Sequence, residues 1–196
     1  MVVNVCNFTR PSGDVPALLN IDETRTLFHE FGHGLHGMLT KTQYPSVSGP
    51  NVARDFVELP SQIMEHWAVE PEVMKMYAHH YKTGEVIPDS LIAKMQAAAD
   101  FNSGFETVEL VGAAMLDIQL HMQENYDNFD VVNFENQITK KIGMIPQITY
   151  RYRAPYFSHI FNGGYAVGYY SYLWAEVLDA DGFEAFKEKG IFDQAT

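Results

Sequence analysis

Residues 29–33, His-Glu-Phe-Gly-His, set two imidazoles four positions apart with a carboxylate directly after the first. In a helix, positions i and i+4 share one face, so His29 and His33 can both aim a ring nitrogen at one Zn²⁺ while Glu30 projects beside the ion. A carboxylate so placed can take a proton from water, and a bound zinc lowers the pKa of water from about 15.7 toward about 7. That is the chemistry of metal-assisted amide hydrolysis. In a chain with 8 His, chance yields His-Glu-x-x-His roughly 0.02 times, so coincidence is a poor competitor.

The motif needs a helix to carry it. Leu27, Phe28, Phe31, Leu35, Met38 and Leu39 recur at helical spacing and predict one over 22–40. Asp22 is the expected N-cap, and an incomplete one, because Arg25 stands where a capping box has an acid. Gly32, Gly34 and Gly37 crowd into the same helix, each at a cost on the order of 1 kcal/mol relative to alanine. Close approach by another backbone or a ligand accounts for them.

A catalytic zinc takes three protein ligands and leaves one position for water. The next helical pattern starts at Ala53, runs through Phe56, Val57, Ile63, Met64 and Trp67, and is interrupted by Pro60 one turn in. It carries Glu58 and Glu65, seven residues apart and so near one face. Glu58 is the better third ligand and Glu65 the competitor. The acid left over can instead hydrogen-bond a ligand imidazole from behind, and so can Asp55. Between the two helices, residues 43–50 are rich in Pro, Gly and Ser and read as a loop, either a lid or a plain connector.

The second informative stretch runs from Tyr150 to Trp174 and holds seven tyrosines. Phenols and an imidazole beside a glycine pair suit the stabilisation of an oxyanion, and Gly163 and Gly164 permit a peptide strand to come close. If the segment is helical, Tyr165, Tyr169 and Tyr172 share a face; the alternative is an aromatic core helix.

Elsewhere, residues 2–9 alternate like a strand, 11–14 read as a turn, and helices are expected over 71–81, 91–126 and 133–142, the last closed by Gly143 and Pro146. Gly104 and Gly112 mark possible irregularities in the long one. His79 and His80 read as surface or packing residues. The hydrophobic share of 46% over 196 residues supports a packed core. Thirteen basic against 25 acidic residues leave a net charge of −12, which argues against nucleic acid and anionic membrane as partners. Cys6 is alone, so no intrachain disulfide forms, and a reducing, cytoplasmic setting is the expectation. No apolar run reaches the roughly 18 residues of a membrane span.

Taken together, these residues are similar to the catalytic segment of the M3 metallopeptidases, the thimet oligopeptidase family. Phe28-His29-Glu30-Phe31-Gly32-His33 resembles its signature, Arg54 to Gln62 its second motif, and His159 to Tyr172 its substrate-facing run. The resemblance implies one Zn²⁺ held by His29, His33 and Glu58, with Glu30 as general base. It also implies His159, Tyr165 and Tyr172 as donors to the scissile carbonyl oxygen and Tyr169 as a nearby substrate contact. Asn4 to Asn7, Arg151-Tyr152-Arg153 and the step from His159 to Tyr165 look most like the peptidyl-dipeptidase branch, which removes C-terminal dipeptides. Arg151 or Arg153 would then receive the substrate carboxylate, unless they pair with the chain's many acids.

The expected fold is mainly α, a zincin-type helical catalytic domain with a minor β element near the N-terminus. Residues 1–196 are expected to form one partial domain, lacking the N-terminal helical wall and the C-terminal helices that the family carries. Three alternatives stay open: an endo-acting oligopeptidase of the same family, a segment that binds metal or short peptides without turnover, and a helical di-metal carboxylate protein. The last needs a Glu-x-x-His pair from each of two helices, and only Glu30 and His33 supply one.

Overall fold

The computed structural model describes residues 1–196. The chain is mainly α-helical and falls into two compact units, residues 1–95 with 175–196, and residues 96–174.

In the first unit, α1 (Ile21–Leu39) carries the two-histidine motif. Its N-cap is Asn20, two residues before the expected Asp22. The capping box is complete: Glu23 N–H donates to Asn20 Oδ1 at 2.8 Å, and Asn20 N–H to Glu23 Oε2 at 3.0 Å. Periodicity placed the start within two residues but missed which side chain closes it.

The helix buries a row of small residues. Thr24, Gly32 and Gly34 are buried, whereas Leu27, Phe31, Met38 and Leu39 of the expected apolar stripe are exposed. The reason lies in α3 (Leu59–Val69), which packs directly across α1. A Cβ on Gly32 would lie 2.3 Å from the Pro60 carbonyl oxygen and 2.6 Å from Ser61 Cα. Only a glycine admits that approach.

Pro60 acts as expected. It ends α2 (Arg54–Val57) and starts α3, leaving Glu58 at the junction with φ −86° and ψ −13°. Then α4 (Pro71–Tyr77) follows, with Tyr77 Oη donating to the Ala68 carbonyl at 2.5 Å. The part of the last helix that belongs to this unit packs on α3: Phe183 stacks on His66 with centroids 4.5 Å apart and meets Trp67 edge-on, while Trp67 Nε1 donates to the Ile191 carbonyl at 2.9 Å.

Residues 2–9 form no strand, which corrects the expected β element. An extended run needs a partner ladder, and the only bridges are the isolated pairs Ser12 with Val15 and His79 with Val86. The run instead passes the glycines of α1, with Val2 and Asn4 beside Gly34, and Thr9 N–H donates to Glu23 at 2.8 Å.

The expected helix over 91–126 is two: α5 (Asp89–Ala99) and α6 (Ser103–His121), separated at Asn102, which takes a left-handed φ of 61°. In the second unit, α6 and α7 (Val131–Lys141) pack together. The core joins Ala113, Ala114, Leu116, Leu120, Ile138 and Phe157, so α6 contributes small and aliphatic residues. The larger side chains Phe101, Phe105 and Met122 are exposed. After α8 (Ser158–Phe161) the chain turns through 162–170 before α9 (Ser171–Lys189) begins.

Candidate functional site

One turn of helix separates His29 from His33, and their rings lie edge to face with centroids 5.0 Å apart. Both Nε2 atoms converge on one oxygen: Glu58 Oε2 is 3.3 Å from that of His29 and 3.2 Å from that of His33. Two zinc arms at a tetrahedral angle hold their donor atoms about 3.4 Å apart, so this spacing fits the ion. The three ligand atoms lie within 4.8 Å of one another and form the group of His, Cys, Asp or Glu side chains able to hold a metal.

Glu58 is 1% exposed. A carboxylate buried that deeply must be compensated, and the compensation is local. Ser61, one turn on at the start of α3, donates its hydroxyl to the Glu58 carbonyl at 2.7 Å and to Oε2 at 3.0 Å. The break at Pro60 therefore sets both the carboxylate and the hydroxyl that orients it. Ser61 was not singled out in the sequence, although a serine three residues after an acid at a proline-marked helix start is a readable signal.

Behind His29, Nδ1 hydrogen-bonds Glu65 Oε1 at 2.7 Å. Burial works against a charge on His29, but its hydrogen bonds with Glu58 and then Glu65 outweigh burial and push its pKa up to about 9. Two acids that hold a proton on an imidazole between them are a donor set for a dication. His33 Nδ1 is buried with no hydrogen-bond partner in the protein. Glu65 sits among a polar group that includes His66, Glu176 and Asp179. Its His66 pairs with Asp179 at 2.6 Å, and burial, followed by the charges of Asp179 and Glu65, pushes the Glu176 carboxyl up. Glu30, half-buried on the same turn as His29, keeps a carboxylate that no protein donor engages. Asp55 lies half-buried in α2, three residues before Glu58.

In the second unit the tyrosines gather, though not as a helical face. Tyr165 and Tyr169 lie in the turn before α9, and Tyr172 in its first residues. The rings meet nonetheless. Tyr165 stacks on Tyr172 with centroids 5.4 Å apart, Tyr169 lies 5.0 Å from Tyr172, and His159 lies 6.1, 5.6 and 6.4 Å from Tyr165, Tyr169 and Tyr172. Helical periodicity is not what joins them. The turn is.

A family model described as Peptidase family M3 matches residues 1–196. The chain belongs to peptidase family M3. It is 50% identical over 192 residues to the dipeptidyl carboxypeptidase of Escherichia coli strain K12, covering 97% of this chain and 28% of that protein. It is 45% identical over 193 residues to oligopeptidase A of Salmonella typhimurium, again 97% and 28%. To the probable cytosolic oligopeptidase A of Arabidopsis thaliana it is 42% identical, with 96% and 27% covered. The M3 chain thus spans little more than a quarter of the length of these curated relatives.

The remaining expected site residues of the M3 chain have other visible work. Arg153 forms an ion pair with Glu135, which is 2% exposed and whose second oxygen accepts Ala154 N–H at 2.9 Å. Arg151 is exposed, its guanidinium 6.0 Å from the Tyr152 ring. A Cβ on Gly163 would lie 2.8 Å from His159 Cα and from its carbonyl oxygen, so this glycine admits the histidine's own backbone. Gly164 takes φ +80°. Three buried acids of the M3 chain went unread in the sequence, Asp117, Glu135 and Asp179. Asp117 is an acid inside an otherwise apolar helical stretch, which is the signal that could have found it.

Proposed function

We propose that this M3 chain is the catalytic segment of a zinc peptidase that hydrolyses short peptides and releases C-terminal dipeptides. The observation that carries the reading is the convergence of His29 and His33 Nε2 on Glu58 Oε2 at 3.3 and 3.2 Å. His29, His33 and Glu58 are the residues that would hold the ion. When bound there, zinc supplies a Lewis acid and draws the pKa of water toward about 7.

The chain's own groups do the rest. Glu30 takes a proton from the attacking water as its oxygen adds to the scissile carbonyl carbon, and delivers that proton to the leaving nitrogen as the C–N bond breaks. His159, Tyr165 and Tyr172 donate hydrogen bonds to the carbonyl oxygen as it gains charge. Glu65 holds the His29 ring in orientation, and Asp55 supports the same ligand shell. Gly163 and Gly164 border the peptide's path, whereas Tyr169, expected as a substrate contact, is 2% exposed and packs in the second unit's core behind the other tyrosines.

Support for the dipeptidase mode is the 50% identity to a dipeptidyl carboxypeptidase. With Arg153 paired to Glu135, Arg151 is the better receptor for a substrate carboxylate. That same pairing favours a second reading, an endo-acting oligopeptidase, which needs no carboxylate receptor. The substrate partners in either case are short peptides. No helix is long and apolar enough to cross a membrane, and the cytoplasm is the proposed setting.

The test is the full-length, zinc-loaded protein on one peptide with a free and an amidated C-terminus. Glu30→Gln should retain zinc and lose roughly 10²- to 10⁴-fold in kcat. A kcat within a few-fold of the parent removes Glu30 as the base. Loss of turnover on amidation supports the dipeptidase; equal rates support the endopeptidase.

A further inference from the structure

We propose that Asp117 is a positioning residue for the reaction: from the middle of α6 it fixes the turn that presents Tyr165, Tyr169 and Tyr172. The proposal rests on the reading of Tyr165 and Tyr172 as donors to the developing oxyanion.

Asp117 is 0% exposed. Its two oxygens reach across the second unit to separate backbone amides: Oδ1 accepts Val167 N–H at 3.0 Å and Oδ2 accepts Tyr169 N–H at 3.0 Å. One helical turn on, His121 Nδ1 lies 2.9 Å from Oδ1 and 2.9 Å from the Asp117 carbonyl oxygen. The two amides flank Gly168, whose own N–H donates to the Tyr165 carbonyl at 2.8 Å. A carboxylate thus clamps both sides of a one-residue apex.

The clamped backbone is strained where the clamp grips it. Val167 takes φ +56°, a left-handed conformation that a β-branched side chain avoids unless its surroundings impose it. The Val167 side chain is 49% exposed, so packing of that side chain does not impose it. The hydrogen bond to Asp117 does. A neutral side chain would be cheaper to bury, yet an asparagine offers one acceptor oxygen where two amides need acceptance. The ring arrangement follows from the turn. Tyr165 stands on its near side and Tyr172 on its far side, and their rings come to 5.4 Å and within 16° of parallel.

The experiment uses the full-length, zinc-loaded protein. Asp117→Asn should lower kcat roughly 10²-fold, the cost of misplacing catalytic donors by about 1 Å, with KM and zinc content nearly unchanged. Val167→Gly alone should be close to neutral, and in the Asp117→Asn background it should restore kcat about tenfold, because a glycine takes the turn without being forced. Tyr165→Phe and Tyr172→Phe run alongside. If they lower kcat and Asp117→Asn does not, the positioning role is overturned while the tyrosine reading stands. If neither tyrosine variant lowers kcat, that reading falls and takes this one with it. Should Asp117→Asn fail to fold, amide hydrogen exchange on the parent protein decides. Protection at Val167 and Tyr169 matching the α6 interior supports the clamp, and exchange as fast as an open loop overturns it.

Discussion

Glu58 and Asp117 are both carboxylates removed from solvent, and they are used in opposite ways. Glu58 turns an oxygen toward two imidazoles and so completes, from side chains, a group able to hold a metal. Asp117 turns both oxygens toward main-chain amides 50 and 52 residues away and so builds a turn. In the first unit the chemistry lies in the residue types and their spacing. In the second it lies in the shape of a backbone that side chains elsewhere enforce. A motif search finds the first kind of site and is blind to the second.

The largest expected effect separates the two. Glu58→Ala should abolish zinc retention and reduce peptide hydrolysis to below about a thousandth, since the Lewis acid goes with the ligand. Bound-metal analysis and turnover measure both. The tyrosine cluster, held by its own clamp, should keep its near-UV circular dichroism. Loss of that signal would mean the second region's shape depends on the metal centre after all.

Next in size is Gly32→Ala. Its Cβ meets main-chain atoms of Pro60 and Ser61 and no flexible side-chain end, so α3 must move. Overpacking of this kind costs about 1–3 kcal/mol, and urea unfolding would register it. Because Ser61 orients Glu58, zinc affinity should fall with stability. A variant that loses stability and keeps its affinity would show that Ser61 does not set the carboxylate.

Glu65→Gln sharpens the comparison within the proposed metal site. Glu65 hydrogen-bonds His29 Nδ1, and loss of such an outer partner lowers metal affinity about 10- to 100-fold. Competition with a chelator measures it. An effect as large as that of Glu58→Ala would make Glu65 a ligand in its own right.

How much could be read in advance follows the same division. The pairing of His29 with His33 and the break at Pro60 were legible, because helical geometry converts spacing into direction; between Glu58 and Glu65 spacing only leaned to Glu58, and the family resemblance made the choice. The strand expected over 2–9 was not there, because alternation signals a strand only when a ladder exists to receive it. The long helix expected over 91–126 broke at Asn102, not at either glycine, since a left-handed asparagine gives no periodic warning. Tyr165, Tyr169 and Tyr172 were expected on one helical face and met through a turn. The residue that imposes the turn lies in α6, and its partners are amides, which every residue but proline has.

The smallest expected effect concerns the cap of α1, where a local side-chain-to-backbone contact works as Asp117 does but in solvent. Asn20→Ala should destabilise the protein by about 1 kcal/mol, the usual cost of a lost N-cap, with zinc affinity nearly unchanged because the cap lies two turns from His29. The pH dependence tests the other half of the box. Hydrogen bonds from the Thr9 hydroxyl first, then from the Asn20 and Thr9 amides, hold the Glu23 carboxyl below its ordinary value. The folded state therefore prefers the ionised form. Its contribution is complete above the unfolded carboxyl pKa of about 4.3 and is lost as pH falls through the lower folded value. Glu23→Gln should flatten the acid limb of the stability curve and leave the neutral side of that limb's shape intact. An acid limb unchanged in Glu23→Gln would mean that Asn20 alone closes the helix and that the reciprocal bond from Glu23 is incidental.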